Sequence, residues 1–322
     1  MTEEKVLPKN SVNEIVVPYS SVSFQTSFEL KPFVKWAGGK RQLLSTFRQY
    51  YPKELGITLT KYAEPFVGGG AVLFDILQTY QLKEIYISDV NYELVNTYIT
   101  IRDNHKNLIS ILSEMKTDYL AKSEEDRNKA YYTHRERYNE LKLGKDTNPL
   151  EMAALFIFLN KTCFNGLYRV SPKTGFNVPI GRYKNPAILE EDNIRNISAA
   201  LQNVKIVCDD FTKSLDFIDE KTFVYIDPPY RPLSTTASFT SYAEGDFNDE
   251  EQKRLAEFAK AITSKHAKFL LSNSDPKNTN PDDNFFDELY KDFTIHRIEA
   301  SRCINSKGTG RGKISELLIS NY

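Results

Sequence analysis

Four apolar residues, Phe223-Val224-Tyr225-Ile226, run directly into Asp227-Pro228-Pro229-Tyr230. A short β-branched and aromatic run of this kind reads as a strand. With no polar alternation it needs cover on both faces, which points to an α/β sheet with helices on either side. Ligands of such sheets bind beyond the carboxyl ends of the strands, where Asp227 and Tyr230 fall. The prolines fix φ and remove two backbone donors, and their carbonyls are expected to remain free as acceptors. Tyr230 adds a flat face. Acceptors beside an aromatic ring suit a planar ring that carries an exocyclic amine. A rigid turn accounts for the same four residues equally well, so the remaining chain must decide.

Other strands end the same way. Tyr62-Ala63-Glu64-Pro65-Phe66-Val67 enters the turn Gly68-Gly69-Gly70, and a helix is expected from Ala71. Glu84-Ile85-Tyr86-Ile87-Ser88 ends in Asp89, and a further helix starts at Asn91. Val204-Lys205-Ile206-Val207-Cys208 ends in Asp209-Asp210-Phe211. Strand, glycine turn, helix, strand and acid is the first half of a nucleotide-binding α/β sheet. The turn lacks the Gly-Lys-Ser/Thr of a P-loop and the spacing of a dinucleotide site. Asp89 lies where such sheets place a ribose. The pattern therefore favours a nucleoside without a pyrophosphate, which S-adenosylmethionine satisfies, although a tight structural turn would also explain it.

Between residues 92 and 190 helical periods dominate. Leu94, Tyr98 and Ile101, then Leu108, Ile111, Leu112 and Met115, share one face, and a polar stretch follows over 116–145. Asn148-Pro149 opens an apolar helix over 151–159. Residues 165–179 read as a hairpin closed at Lys173-Thr174-Gly175. Helix 252–262 and strands 268–274, 293–298 and 316–320 complete the sheet. Residues 1–30 show no sustained period and read as a loosely ordered arm.

At 322 residues the chain is long enough for one large or two modest domains. Its hydrophobic share of 40% and charged share of 26% are those of a soluble globular protein. Neither a membrane-spanning run nor a secretory leader is apparent. Cys163, Cys208 and Cys303 are widely separated, so neither a disulfide framework nor a metal site is expected, and the reducing cytoplasm is the expected compartment. The net charge of −1 does not advertise a nucleic-acid partner. Locally, Lys161, Arg169, Lys173, Arg182 and Lys184 form an acid-free run, as do Arg302, Lys307, Arg311 and Lys313. Such patches suit phosphate contact in a restricted groove.

Taken in order, Lys35-Trp36-Ala37-Gly38-Gly39-Lys40, the segment 64–70, Asp89, Phe164-Asn165-Gly166-Leu167 and Asp227-Pro228-Pro229-Tyr230 resemble the Dam-type family of S-adenosylmethionine-dependent DNA adenine-N6 methyltransferases. The order is that of the α group, with cofactor segments first, target recognition second and Asp-Pro-Pro-Tyr third. The resemblance runs from about residue 32 to the C-terminus. It implies a Rossmann-like class I methyltransferase sheet with helices on both faces, formed by residues 31–91 and 191–322. It also implies an inserted, mainly helical target-recognition domain over 92–190 that bears the hairpin.

The resemblance further implies roles. Asp227, Pro228, Pro229 and Tyr230 would be catalytic. Trp36, Lys40, Glu64, Phe66, Gly68, Asp89, Asp210, Phe211 and Asp227 would bind S-adenosylmethionine. Lys35 matches a residue that contacts the first base pair of GATC. Phe164 and Asn165 match a wedge beside an extruded base. Leu167, Arg169 and Pro179 match hairpin residues that read the other bases. The partner would be double-stranded DNA, met by a monomer at the nucleoid, with a restriction endonuclease as a possible functional counterpart. The hairpin departs from the enteric form of the family at residues 170–174. On the residues alone, cytosine N4, RNA or a protein glutamine remains open as acceptor, as does a DNA-binding module that holds its cofactor only structurally.

Overall fold

The computed structural model describes residues 29–231, 247–301 and 313–322. The expected N-terminal arm lies outside the described residues up to residue 28, as do Cys303 and nearly all of the second basic run. Helix α1 (Leu44–Phe47) precedes β1 (Lys61–Glu64), α2 (Ala71–Thr79) and β2 (Glu84–Asp89). Three helices follow, α3 (Tyr92–Ala121), α4 (Glu124–Lys142) and α5 (Pro149–Thr162), and then the short hairpin β3 (Val170–Ser171) and β4 (Gly175–Phe176). The chain returns through α6 (Glu191–Ala200) to β5 (Val204–Cys208), β6 (Thr222–Ile226), α7 (Asp249–Ser264) and β7 (Lys268–Ser274). It closes with α8 (Phe285–Leu289), β8 (Thr294–Ser301) and β9 (Lys313–Ser320).

Seven of these strands form one sheet in the order β5-β2-β1-β6-β7-β9-β8. Only β9 runs against its neighbours. The order reverses between β1 and β6, so a crevice opens where Glu64 and Asp227 stand at adjacent strand ends. All five residues of β6 are buried. Phe223 and Tyr225 face the core shared with α3, α4 and α5, and Val224 and Ile226 face the core shared with α7, as the two-residue period of a strand requires. The expected α/β architecture is therefore present, a mostly parallel sheet with helices packed on both faces.

The helical segment does not hang free of this sheet. Helix α3 packs against α5, α6 and β5, and its backbone leaves helical geometry at Asn104. Helix α5 is apolar on nearly every side and buried along most of its length. It starts where the side chain of Asn148 caps the Glu151 N–H and Pro149 occupies the first turn, a position that has no intrahelical hydrogen bond to lose. The stretch 116–145, read as polar, contains the end of α3 and all of α4. Helix α4 buries only Tyr131, Tyr138 and Leu141, a stripe too narrow and too tyrosine-rich to stand out from its charged face. Asn139 of α4 accepts a hydrogen bond from the Phe176 N–H at 2.7 Å and donates one to the Phe176 carbonyl at 3.0 Å, which docks the hairpin on the helices.

The turn after β1 carries a strict backbone requirement. Gly70 has φ of 75° and immediately precedes α2. A Cβ there would lie 2.4 Å from the Tyr98 hydroxyl, which itself donates to the Gly68 carbonyl at 3.0 Å. Gly70→Ala should lower stability by about 1–3 kcal/mol, the cost of a strained backbone position. Urea unfolding checks this; an unchanged midpoint would contradict the steric account.

Candidate active site

The apolar run of β6 leaves Asp227 at the edge of the core, partly buried. Its Oδ1 accepts from Lys40 Nζ at 2.8 Å and from Ser272 Oγ at 2.9 Å. Ser272 is on β7, the neighbour of β6, and its hydroxyl also meets that of Tyr225 at 3.0 Å. Lys40, 5% exposed, donates to the Gly38 carbonyl at 2.7 Å, and its ammonium lies 4.6 Å from the centre of the Tyr230 ring. The Tyr230 hydroxyl donates to Glu316 Oε2 at 3.0 Å, which anchors the far edge of that ring to β9. The expectation that both prolyl carbonyls stay free needs correction. The Pro229 carbonyl accepts from Gln252 Nε2 at 3.3 Å, and Gln252 is held in turn by Asn273.

Carboxylates crowd this crevice. Glu64 is fully enclosed and accepts from the Tyr62 hydroxyl at 2.6 Å. Burial holds its carboxyl well above the usual range, Tyr62 opposes the shift, and the nearby Asp227 charge adds to it. Burial also raises Glu316, with Lys40 and the Tyr230 hydroxyl opposing and Asp227 adding. Asp89 accepts from the Gly68 N–H at 3.1 Å and the Asn91 N–H at 2.9 Å, and burial raises its carboxyl despite those bonds. Several acids held in a poorly hydrated cleft lower the energy of a cation placed among them. A sulfonium or ammonium ligand matches this donor set.

The flanks of the crevice are aromatic. Trp36 lies against Gly68 and stacks on Tyr168 at 5.5 Å. Phe66 stacks on Phe211 at 5.2 Å, and of these two rings only Phe66 keeps appreciable exposure. Asp210 caps the turn that contains Phe211. Arg254 grips its carboxylate with bonds of 3.0 and 2.7 Å while lying over the Phe211 ring. Arg254 and Thr212 hold the Asp210 carboxyl below its ordinary value against the desolvation that would raise it. The anionic partner at the end of β5 is therefore already engaged by a cation.

The residues expected to meet DNA lie in the segment before α1, the turn after α5 and the hairpin. Lys35, Phe164, Asn165, Arg169 and Pro179 are exposed, and Leu167 is half-buried. Phe164 donates its N–H to the Pro179 carbonyl at 2.9 Å, so the two stand together. Asn165 takes φ of 56°, which bends the turn. Arg169 Nε donates to Asn177 Oδ1 at 2.6 Å across the hairpin. Lys161, from the first basic run, is not free for phosphate, because it pairs with Glu190 at 3.0 Å. Burial pushes the Cys163 thiol up to about 11, unsuited to a nucleophile.

The match to known proteins now has a structural setting. A profile of the D12 class of N6 adenine-specific DNA methyltransferases matches residues 36–304. The chain belongs to that family. The type II methyltransferase M.MjaIII of Methanocaldococcus jannaschii is 49% identical over 296 residues, covering 91% of this chain and 100% of that protein. M1.LlaDCHI of Lactococcus lactis subsp. cremoris, also named a type II methyltransferase, is 39% identical and covers 92% and 98%. The DNA adenine methylase of Escherichia coli K12 is 34% identical and covers 89% and 94%. This D12-class chain is thus an adenine-specific DNA methyltransferase whose substrate is double-stranded DNA, as its motif order led us to expect. Among the described residues no helix is long and apolar enough to cross a membrane.

Several residues that shape the site had escaped the sequence: Ser272, Glu316, Gln252 and Arg254. Ser272-Asn273-Ser274 carried a signal, since three polar residues ending an otherwise apolar strand need partners when buried. Glu316 and Arg254 gave none, because each comes from an element distant in the chain.

The buried Glu64 carboxyl keeps its proton in the folded state at a pH where the unfolded chain has released it. Folding is then disfavoured as pH rises above the ordinary carboxylate range. E64Q removes this penalty. Without ligand, its stability relative to the natural chain should increase steadily from acid to neutral pH in parallel urea titrations. A difference that is flat or decreases with pH would show that Glu64 is ionised in the fold.

Proposed function

We propose that the crevice between β1 and β6 binds S-adenosylmethionine and that the enzyme methylates adenine within GATC after rotating the base out of the duplex. The observation that carries this reading is the Asp227 carboxylate. It is fixed at the strand end by Lys40 and Ser272 through one oxygen, so its other oxygen can receive an amine. N6 of a paired adenine is not accessible inside a duplex, so the base must leave the stack.

S-adenosylmethionine, when bound, supplies an electrophilic methyl on a positively charged sulfur. Glu64 and Asp89 would hold its cationic and ribose portions, Trp36 and Gly68 would border it, and Phe66 and Asp210 would flank its adenine, with the buried Phe211 backing Phe66. Asp210 brings an ionised carboxylate to that task because Arg254 keeps it so. At the target, Asp227 and the Pro228 carbonyl accept the two N6 hydrogens. Those bonds turn the nitrogen lone pair out of conjugation with the ring. Pro229 braces the turn through Gln252. Tyr230, tethered by Glu316, offers its ring to the base. The contribution of the protein is orientation and electrostatic positioning.

Residues 92–190 act in this reading as the target-recognition domain, inserted between the two parts of the catalytic domain, 31–91 and 191–322. Lys35 contacts the first base pair. Phe164 and Asn165 fill the gap beside the extruded base. Leu167, Arg169 and Pro179 read the remaining pairs, with Arg169 suited to forked bonds on guanine and the apolar pair to a thymine methyl. The higher identity to two proteins named type II methyltransferases than to DNA adenine methylases favours a modification enzyme paired with an endonuclease. We expect a cytoplasmic monomer.

Asp227→Ala should leave the fold intact and lower radiolabelled methyl transfer to duplex DNA by roughly 10²–10³ or more. An active, folded variant would refute the role of Asp227. Arg169→Ala should cut discrimination between GATC and single-pair variants by roughly tenfold, with little loss of binding to unrelated duplex. Equal loss on both would make Arg169 a phosphate contact. Digestion of methylated DNA with methylation-sensitive nucleases tests the GATC assignment directly.

A further inference from the structure

Asn160 is a polar residue in the buried stretch of α5, and it is 2% exposed. A buried amide is costly unless it is bonded, and the bonds Asn160 makes are specific. Its Oδ1 accepts from the Lys35 N–H at 2.8 Å. Its Nδ2 donates to the Lys35 carbonyl at 2.8 Å and to the Gly166 carbonyl at 3.0 Å. One N–H and two carbonyls fix the orientation of the amide, since the flipped form would lose all three bonds. Asn160 therefore grips both backbone groups of one residue, Lys35, and ties that residue to the turn 164–166.

The side chain of Lys35 is confined as well. Its stem lies against Gly166 so closely that a Cβ on the glycine would sit 2.4 Å from Lys35 Cδ. Its ammonium lies 5.0 Å from the centre of the Tyr183 ring. A free lysine on a surface samples many rotamers and neutralises whichever phosphate is near. Here the backbone, stem and head are each held by a different partner, and these partners come from α5, the turn after it and the segment before α6.

We propose that Asn160 and Tyr183 are positioning residues that fix Lys35 as the reader of a base edge. This inference rests on the reading of Lys35 as a contact to the first base pair of GATC. Base discrimination needs a donor held at one place, whereas phosphate attraction does not. Asn160, Gly166 and Tyr183 together supply that placement.

The test is the ratio of kcat/KM on duplexes carrying GATC to that on duplexes changed at one base pair, for K35A, N160A, Y183L and K35A/Y183L. Each ratio compares two substrates with the same preparation, so it is insensitive to the fraction of folded enzyme. K35A, N160A and Y183L should each lower discrimination at the first pair by roughly tenfold and leave discrimination at the other three pairs unchanged. The double variant should lose no more than K35A alone. The inference is overturned if K35A lowers the first-pair ratio while N160A and Y183L do not. It is also overturned if those two variants lower the ratio equally at all four pairs, the mark of a merely structural role. An unchanged ratio in K35A would instead remove the reading of Lys35, and this inference with it.

Discussion

The bond between Lys40 and Asp227 is the interaction on which the rest of the site depends. It joins the segment before α1 to the end of β6, and it places a nearly buried cation on Asp227 and close to Glu316. Without that cation the Asp227 charge would face Glu64 and Glu316 in a poorly hydrated crevice, a costly arrangement. With it, one Asp227 oxygen is secured and the strand end acquires a fixed acceptor. Ser272 secures the same oxygen from the neighbouring strand, so the position of the carboxylate is determined from two sides.

The sheet explains why these groups meet. Parallel strands place their carboxyl ends along one edge, and the reversal of order between β1 and β6 separates the helices that would otherwise cover it. Glu64, Asp89, Asp210 and Asp227 stand at or just beyond the carboxyl ends of β1, β2, β5 and β6, four strands that lie side by side in the sheet. The helices from α3 to α5 share a core with this sheet, so the surface that carries Phe164 and Arg169 is braced against the crevice. The stack of Trp36 on Tyr168 is one such brace.

Much of this was legible in the chain. Strands β2, β5 and β7 have the limits their apolar runs suggest, although only β7 is buried along nearly its whole length and the edge strand β5 buries Val204 alone. Asp227 and Lys40 stood out through the residues around them. What could not be read is instructive. Helix α4 hides its stripe among charges, and α6 buries only Ile194, Ile197 and Ser198. Glu316 and Arg254 matter only through the fold, since one steadies Tyr230 from β9 and the other engages Asp210 from α7. The free Pro229 carbonyl failed as an expectation because its partner, Gln252, lies on a helix that sequence spacing does not connect to it.

The most direct test is a crystal structure of the enzyme with a duplex carrying one target site and an unreactive analogue of S-adenosylmethionine. The account predicts one adenine outside the helix, its N6 within hydrogen-bond distance of Asp227 and the Pro228 carbonyl, and its ring on Tyr230. An adenine that remains stacked in the duplex, or an extruded one whose amine points away from Asp227, would contradict it.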